Sequence, residues 1–251
     1  MFQFNNLFDN QNLTCINQLG CFRVLEHQKD LSVSPFSAET EYFAAQMNVK
    51  KRQVLCELNG NGVKLQAGAM QWTIGNVNMA TGVTGGNFLG KMVGAKVTGE
   101  TMAKPEYTGQ GFVMLEPTYR HIILIDVAQW GNIVLQDGLF LACDSTVQDK
   151  VVGRKNLSSA VLGGEGLFNL SLSGQGFAAL ESPVPQQELI QFNLQNDVVK
   201  IDGNMAIAWS GSLEFTVEKS TKSLIGSAVS GEGFVNVYRG TGSILMAPTS
   251  K

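Results

Sequence analysis

Two histidines and four cysteines are all that 251 residues offer to a transition metal or a thiol-based active site. Cys15 and Cys21 lie close together, but Cys56 and Cys143 form no answering pair, so the spacing supports no zinc-type ligand set. Reduced, mostly buried thiols are the expectation. Charge is scarce too: Asp, Glu, Lys and Arg make up 16% of the chain, and the formal net charge is −3. That balance argues against a broad basic face for duplex nucleic acid and leaves room only for a local basic patch. No apolar run reaches the ~20 residues that a membrane-spanning helix needs. The most apolar stretch, HIILIDVAQW from His121 to Trp130, is broken by Asp126. The opening residues, MFQFNNLFDNQNLTC, read neither as a secretion signal nor as an arginine-rich transit peptide. A soluble, cytoplasmic protein without a transmembrane segment is expected.

Glycine is what the chain has in excess, 28 residues of 251. With Val, Ile, Thr and Phe in short alternating runs, this composition suits many short strands joined by tight turns. The glycines also repeat. VLQDGLFLACDSTVQ (Val134 to Gln148) matches VKIDGNMAIAWSGSLEF (Val199 to Phe215). Gly164-Glu165-Gly166 then matches Gly231-Glu232-Gly233, Gly174-x-Gly176 matches Gly240-x-Gly242, and Pro183 matches Pro248. A more diverged copy lies upstream, in KLQAGAMQWTIGNVNM, Gly99-Glu100 and TGQGFVMLEP. Three units of about 65 residues follow, each too small to bury both faces of its strands alone. Their limits are placed at about 50–117, 118–183 and 184–251. Each unit is expected to carry a positive-φ turn glycine, Gly68, Gly138 or Gly203, and to use its Gly-x-Gly as a hairpin turn. Trp72 and Trp209 are expected at matching positions of two core strands.

Residues 1–49 do not fit the repeat and read as a small N-terminal α/β extension. FRVLEH and LSVSP look like strands. Ser37 to Met47 reads as a helix capped by Ser37, with Phe36, Phe43 and Met47 docking it onto the β body.

LQAGAMQW, GGEGLFNLSLSGQGFAALES and SGEGFVNVYRGTGSILMAP resemble the altered-inheritance-of-mitochondria family of TRAP-like proteins, over about Lys51 to Pro248. The resemblance implies an all-β body of three related β-sandwich units with pseudo-threefold symmetry, akin to the tryptophan RNA-binding attenuation protein. It supplies no catalytic residues, and it ties fungal members to the organisation of the mitochondrial inner membrane.

Other motifs lead elsewhere or nowhere. Gly85, Gly90 and Lys91 fit a phosphate-binding loop, but Met92 stands where a hydroxyl must hold magnesium. Gly174-x-Gly176-x-x-Ala179 mimics a dinucleotide fingerprint, yet a strand and not a helix follows it. His121 reads as a packed or rim histidine, with no nucleophile signalled nearby. Glu100, Glu165 and Glu232 each follow the same turn glycine, and Lys91, Lys155 and Lys222 precede them by nine or ten residues. Threefold symmetry would gather these six into a polar ring able to hold an anion, a metal ion or a partner's loop; otherwise they are turn caps and surface ion pairs. Lys50, Lys51 and Arg52 form a basic cluster at the start of the β body, a solvated strand start or an RNA contact.

The leading expectation is a non-enzymatic scaffold or assembly protein acting through an oligomeric β surface. No cofactor is expected, and the partners expected are further copies of the chain and an unknown protein. An RNA-binding regulator using the basic edge, or a small-ligand binder at the glutamate ring, are the alternatives.

Overall fold

The structure, a computed structural model, describes residues 2–81, 104–153, 168–219 and 234–249. Ahead of the repeats come β1 (Leu13–Leu19), β2 (Phe22–His27) and the helix α1 (Ala38–Gln46). The first unit supplies β3 (Arg52–Leu65), β4 (Met70–Ala80) and β5 (Glu106–Leu115). The second supplies β6 (His121–Asp126), the short helix α2 (Val127–Trp130), β7 (Asn132–Leu135), β8 (Phe140–Asp144), β9 (Gln148–Gly153), β10 (Phe168–Ser173) and β11 (Phe177–Ser182). After a 3₁₀ turn at Gln186–Glu188, the third supplies β12 (Ile190–Asp202), β13 (Ala206–Ser210), β14 (Glu214–Lys219) and β15 (Phe234–Met246).

The three units repeat one pairing plan. The last arm of each lies antiparallel between the other two: β5 between β3 and β4, β10 and β11 between β6–β7 and β8–β9, and β15 between β12 and β13–β14. One backbone bond recurs three times, from Glu116 N to Ala69 O, Glu181 N to Leu139 O and Ala247 N to Met205 O, at 2.7, 2.7 and 2.8 Å.

The turn glycines behave as the sequence suggests, with φ of 82° at Gly68, 78° at Gly138 and 56° at Gly203. The Gly-x-Gly pairs do not make hairpins. Gly109 and Gly111 lie inside β5, and Gly240 and Gly242 inside β15, all with positive φ. Strand backbone packs so closely at Gly111 that a β-carbon would run into the Ile74 carbonyl oxygen. Only glycine meets both demands there.

These arms form two curled sheets, one ordered β1-β2-β3-β8-β11-β6 with β4 and β5 attached, the other β12-β15-β13-β7-β10-β9 with β14 attached. The fold is all-β. The first unit stays in one sheet and the third in the other, while the middle unit passes each of its three arms from one sheet to the other. Asp126 makes one of these crossings. Its carboxylate accepts the Ala128 amide at 3.0 Å and caps α2, which breaks the arm into β6 and β7 before Gly131 (φ 66°) ends the helix. The largest core cluster accordingly gathers middle-unit side chains, among them Ile123, Ile133, Leu135, Leu170, Leu172 and Leu180. At about 1.5–3 kcal/mol for each fully buried aliphatic side chain, this cluster holds the two sheets together. Among the described residues no threefold axis is evident, because the pairings that join neighbouring units occur twice and not three times.

The N-terminal extension divides in two. β1 and β2 extend the first sheet through β3, and Phe2 and Phe4 pack edge-on against Phe112, with Phe4 5.8 Å from the Trp72 ring. LSVSP is not a strand, and Ser37 stands at the start of α1 without a side-chain capping bond. Phe36, Phe43 and Met47 do not dock on the β body. All three are exposed, Phe36 completely, and α1 buries no residue. Trp209 is core, but ladder register sets it level with Thr73: Trp209 faces Ile244 and Thr73 faces Val113, each two residues after its Gly-x-Gly. Trp72 matches Ala208 instead, one position away and on the opposite face.

Candidate functional site

Of the residues singled out in the sequence, the described structure brings together the basic cluster and His121. Arg52 opens β3 directly opposite Glu26 of β2. Its Nε donates to a Glu26 carboxylate oxygen at 2.9 Å, and its remaining nitrogens donate to the Asn48 and Lys50 carbonyls and to Asn48 Oδ1. Arg52 is only 1% exposed. Lys50 reaches the other Glu26 oxygen at 3.1 Å and Gln28 Oε1 at 2.9 Å. Burial opposes ionisation of Glu26, but the Lys50 ammonium and Arg52 guanidinium outweigh it and hold the carboxyl below its ordinary range.

Lys51 turns the other way. Its ammonium lies 2.6 Å from an Asp30 carboxylate oxygen, which holds that carboxyl well below the usual range. Tyr119 donates to the same carboxylate at 2.9 Å, and the Lys51 ammonium stands 5.7 Å from the Tyr119 ring centre. All three cations of the cluster are thus engaged within the chain, Arg52 beneath the surface.

Glu26, Asn48, Arg52 and His121 line a cleft of about 350 Å³, closed on another side by Pro185 and Gln186. Burial and the neighbouring Arg52 charge push the His121 imidazole below its ordinary value, against the opposing pull of Glu26. The sequence signal missed here was Glu26, whose role depends on the β2–β3 register. His27 Nε2 meets Gln53 Oε1 at 3.0 Å.

A second cleft, of about 460 Å³, lies between Cys21, Glu57, Asp144 and Phe177. The Cys21 thiol donates to Asp144 at 3.3 Å, and the other Asp144 oxygen accepts the Phe177 amide at 2.8 Å. Burial, reinforced by Cys56 and Asp144, pushes the Cys21 thiol far up. Burial does the same to Cys56 and takes Cys143 to about 12. These three thiols stay protonated and are poor nucleophiles at neutral pH. All four cysteines are free, with Cys15 exposed. Among the described residues no three His, Cys, Asp or Glu side chains converge as a metal site, and no helix is long and apolar enough to cross a membrane.

Glu100, Glu165, Glu232, Lys91, Lys155 and Lys222 all lie outside the described residues, as does the segment Gly85 to Met92. The three intervals that contain them, 82–103, 154–167 and 220–233, fall at the same place in each unit, between its second and last arms.

Comparison with known proteins agrees with the fold. Residues 45–249 match the family profile described as Mitochondrial biogenesis AIM24. An uncharacterised protein of Streptococcus pyogenes serotype M6 is 32% identical over 195 residues, covering 74% of this chain and 76% of its own length. The crystal structure of a Streptococcus pyogenes protein matches with a TM-score of 0.59 at 28% identity, covering 81% of this chain and 90% of the other.

Proposed function

Because this chain belongs to the Mitochondrial biogenesis AIM24 family, and because several large apolar side chains are exposed around a helix that buries none of its residues, we propose that it is a non-enzymatic assembly protein. In this reading the β body is a rigid platform and residues 31–49 are its partner-binding element. The observation that carries it is the exposure of Leu31, Phe36, Tyr42, Phe43 and Met47 around α1, which buries no side chain. Scattered apolar residues are ordinary on a surface, but five large exposed ones within 17 residues support reading this stretch as an interaction site. A short helix that presents such residues suits an apolar groove on a protein partner.

The RNA-binding reading has less support. Lys50 and Arg52 already share Glu26, and Lys51 pairs with Asp30, so a phosphate would compete with these carboxylates. The non-enzymatic reading is supported by the raised thiols of Cys21, Cys56 and Cys143 and by a His121 without a nearby nucleophile.

The test compares the full chain with F36S/F43S/M47S after purification from the source cells. The expected result is a stoichiometric protein partner held by the wild type and lost from the variant, with thermal unfolding unchanged. Retention of the same partner by the variant would remove α1 from the interaction. Nuclease treatment at low salt is expected to leave no protected RNA. Defined protected fragments that disappear in K50A/K51A would favour the RNA reading instead.

A further inference from the structure

Two joints link the three units, and they are built alike. Between the first and second units the end of β3 runs antiparallel to β8, with Leu65 opposite Ala142, Lys64 opposite Cys143 and Val63 opposite Asp144. Between the second and third the end of β7 meets β13 in the same way, with Leu135 opposite Ala208, Val134 opposite Trp209 and Ile133 opposite Ser210. The flanking backbone bonds also correspond. Gln66 N donates to Leu141 O and Ser145 N to Gly62 O in one joint; Gln136 N donates to Ile207 O and Gly211 N to Asn132 O in the other. All four are 2.8 to 2.9 Å long.

Ladder register identifies the residues that a third joint would use. Val63, Ile133 and Val199 stand opposite Tyr107, Leu172 and Tyr238, each four residues before the second glycine of its Gly-x-Gly pair. Trp72, Ala142 and Ala208 stand opposite Met114, Ala179 and Leu245, each three residues after it. One more repetition would set Ile201 against Trp72, Lys200 against Thr73 and Val199 against Ile74.

Among the described residues, both edges that this third joint needs are unpaired. Among the described residues β12 pairs only with β15, and β4 only with β5. Two positions that the built joints bury are more exposed here, although Ile201, the counterpart of Leu65 and Leu135, is already buried. Met70 is 38% exposed where Phe140 and Ala206 are 3%, and Val199 is half-buried where Val63 and Ile133 are fully buried. β4 carries no charged residue and no proline, the usual devices that keep an edge strand from pairing.

We propose that β12 of one copy pairs antiparallel with β4 of a second copy, in the register of the two inner joints. The occupant is a second copy because the same chain supplies both halves of the joint and does not pair them with each other. The contact is head to tail, so it closes into a ring if its rotation permits and otherwise continues as a filament. It rests on the strand edges alone and is independent of the partner assigned to α1.

Residues 198, 200 and 202 would turn their backbone groups toward the second copy, as Gly62, Lys64 and Gln66 do toward β8, so Lys200 and Thr73 form a hydrogen-bonded pair. Their Cα atoms would be about 5.5 Å apart, within reach of a disulfide. The experiment mixes unlabelled T73C with ¹⁵N-labelled K200C, both carrying C15S to remove the exposed native thiol, and oxidises the mixture. The expected product is a disulfide dimer of one light and one heavy chain joined through positions 73 and 200. A second variant, K200P, removes one outward amide while leaving the β15 ladder its own donors. It is expected to reduce the mass by light scattering to that of the 27.1 kDa monomer without changing circular dichroism. A wild-type chain that is monomeric throughout, or a 73–200 disulfide that forms only inside single T73C/K200C chains, overturns the proposal.

Discussion

Arg52 and Glu26 face each other across the β2–β3 ladder, with the arginine Nε 2.9 Å from the carboxylate and both side chains under the surface. The pair stitches the N-terminal strands to the first repeat, where sequence composition alone would place a solvated basic patch. Replacing Glu26 leaves the Arg52 guanidinium buried without its counter-charge. Glu26→Gln is therefore expected to cost about 3 kcal/mol, the lower end for a broken buried ion pair. Urea denaturation measures it, and a change under ~1 kcal/mol, the range of exposed pairs, would show the pair to be dispensable.

The same pair has a pH signature. The folded chain holds the Glu26 carboxyl below its ordinary value of 4.5, so the unfolded chain binds the proton more readily. The stabilisation is then complete above pH 4.5 and is lost as pH falls through the lower folded value. The stability gap between wild type and E26Q should be constant from pH 6 to pH 8 and should narrow in acid. A gap that widens in acid would contradict the assignment.

Gly68 and Gly111 separate two causes of glycine use. Gly68 has φ 82° and open space where a β-carbon would point. Gly68→Ala should cost about 1–2 kcal/mol, from backbone conformation alone. Gly111→Ala also drives a methyl group into the Ile74 carbonyl and should cost distinctly more. Thermal unfolding of the two variants checks the order, and equal losses would mean that β4 and β5 separate freely.

Thiol labelling reads the burial of the cysteines. Cys15 is expected to react with iodoacetamide in the native chain at pH 7.5, while Cys21, Cys56 and Cys143 stay protected until urea is added. Mass spectrometry counts the adducts. Rapid labelling of Cys21 would expose its cleft as a reactive site.

Much of the β plan was legible because it is written in local conformation. A glycine forced to positive φ leaves its mark at each repeat, as at Gly68, Gly138 and Gly203. Register was less legible. Matching the two tryptophans pairs Trp72 with Trp209 and aligning the turn glycines pairs it with Ile207, whereas the ladder sets it level with Ala208, because Gly203 takes the first place of its turn and Gly68 the second. Long-range pairings escaped altogether. Nothing local in LTCINQL announces that β1 will extend the sheet, and nothing in MFQFNNLF announces that Phe4 will pack on Phe112 and Trp72. The spacing of Phe36, Phe43 and Met47 suggests a face that docks on the β body, but nothing local fixes what these exposed side chains meet.

That last point admits a direct measurement. A photoreactive benzoyl-phenylalanine in place of Phe43, irradiated in the source cells, samples whatever covers α1. The assembly role predicts one discrete protein adduct, absent when the same group replaces Phe22 in the core. Irradiation that yields no adduct, or a diffuse smear without a preferred partner, would contradict a partner-binding role for α1.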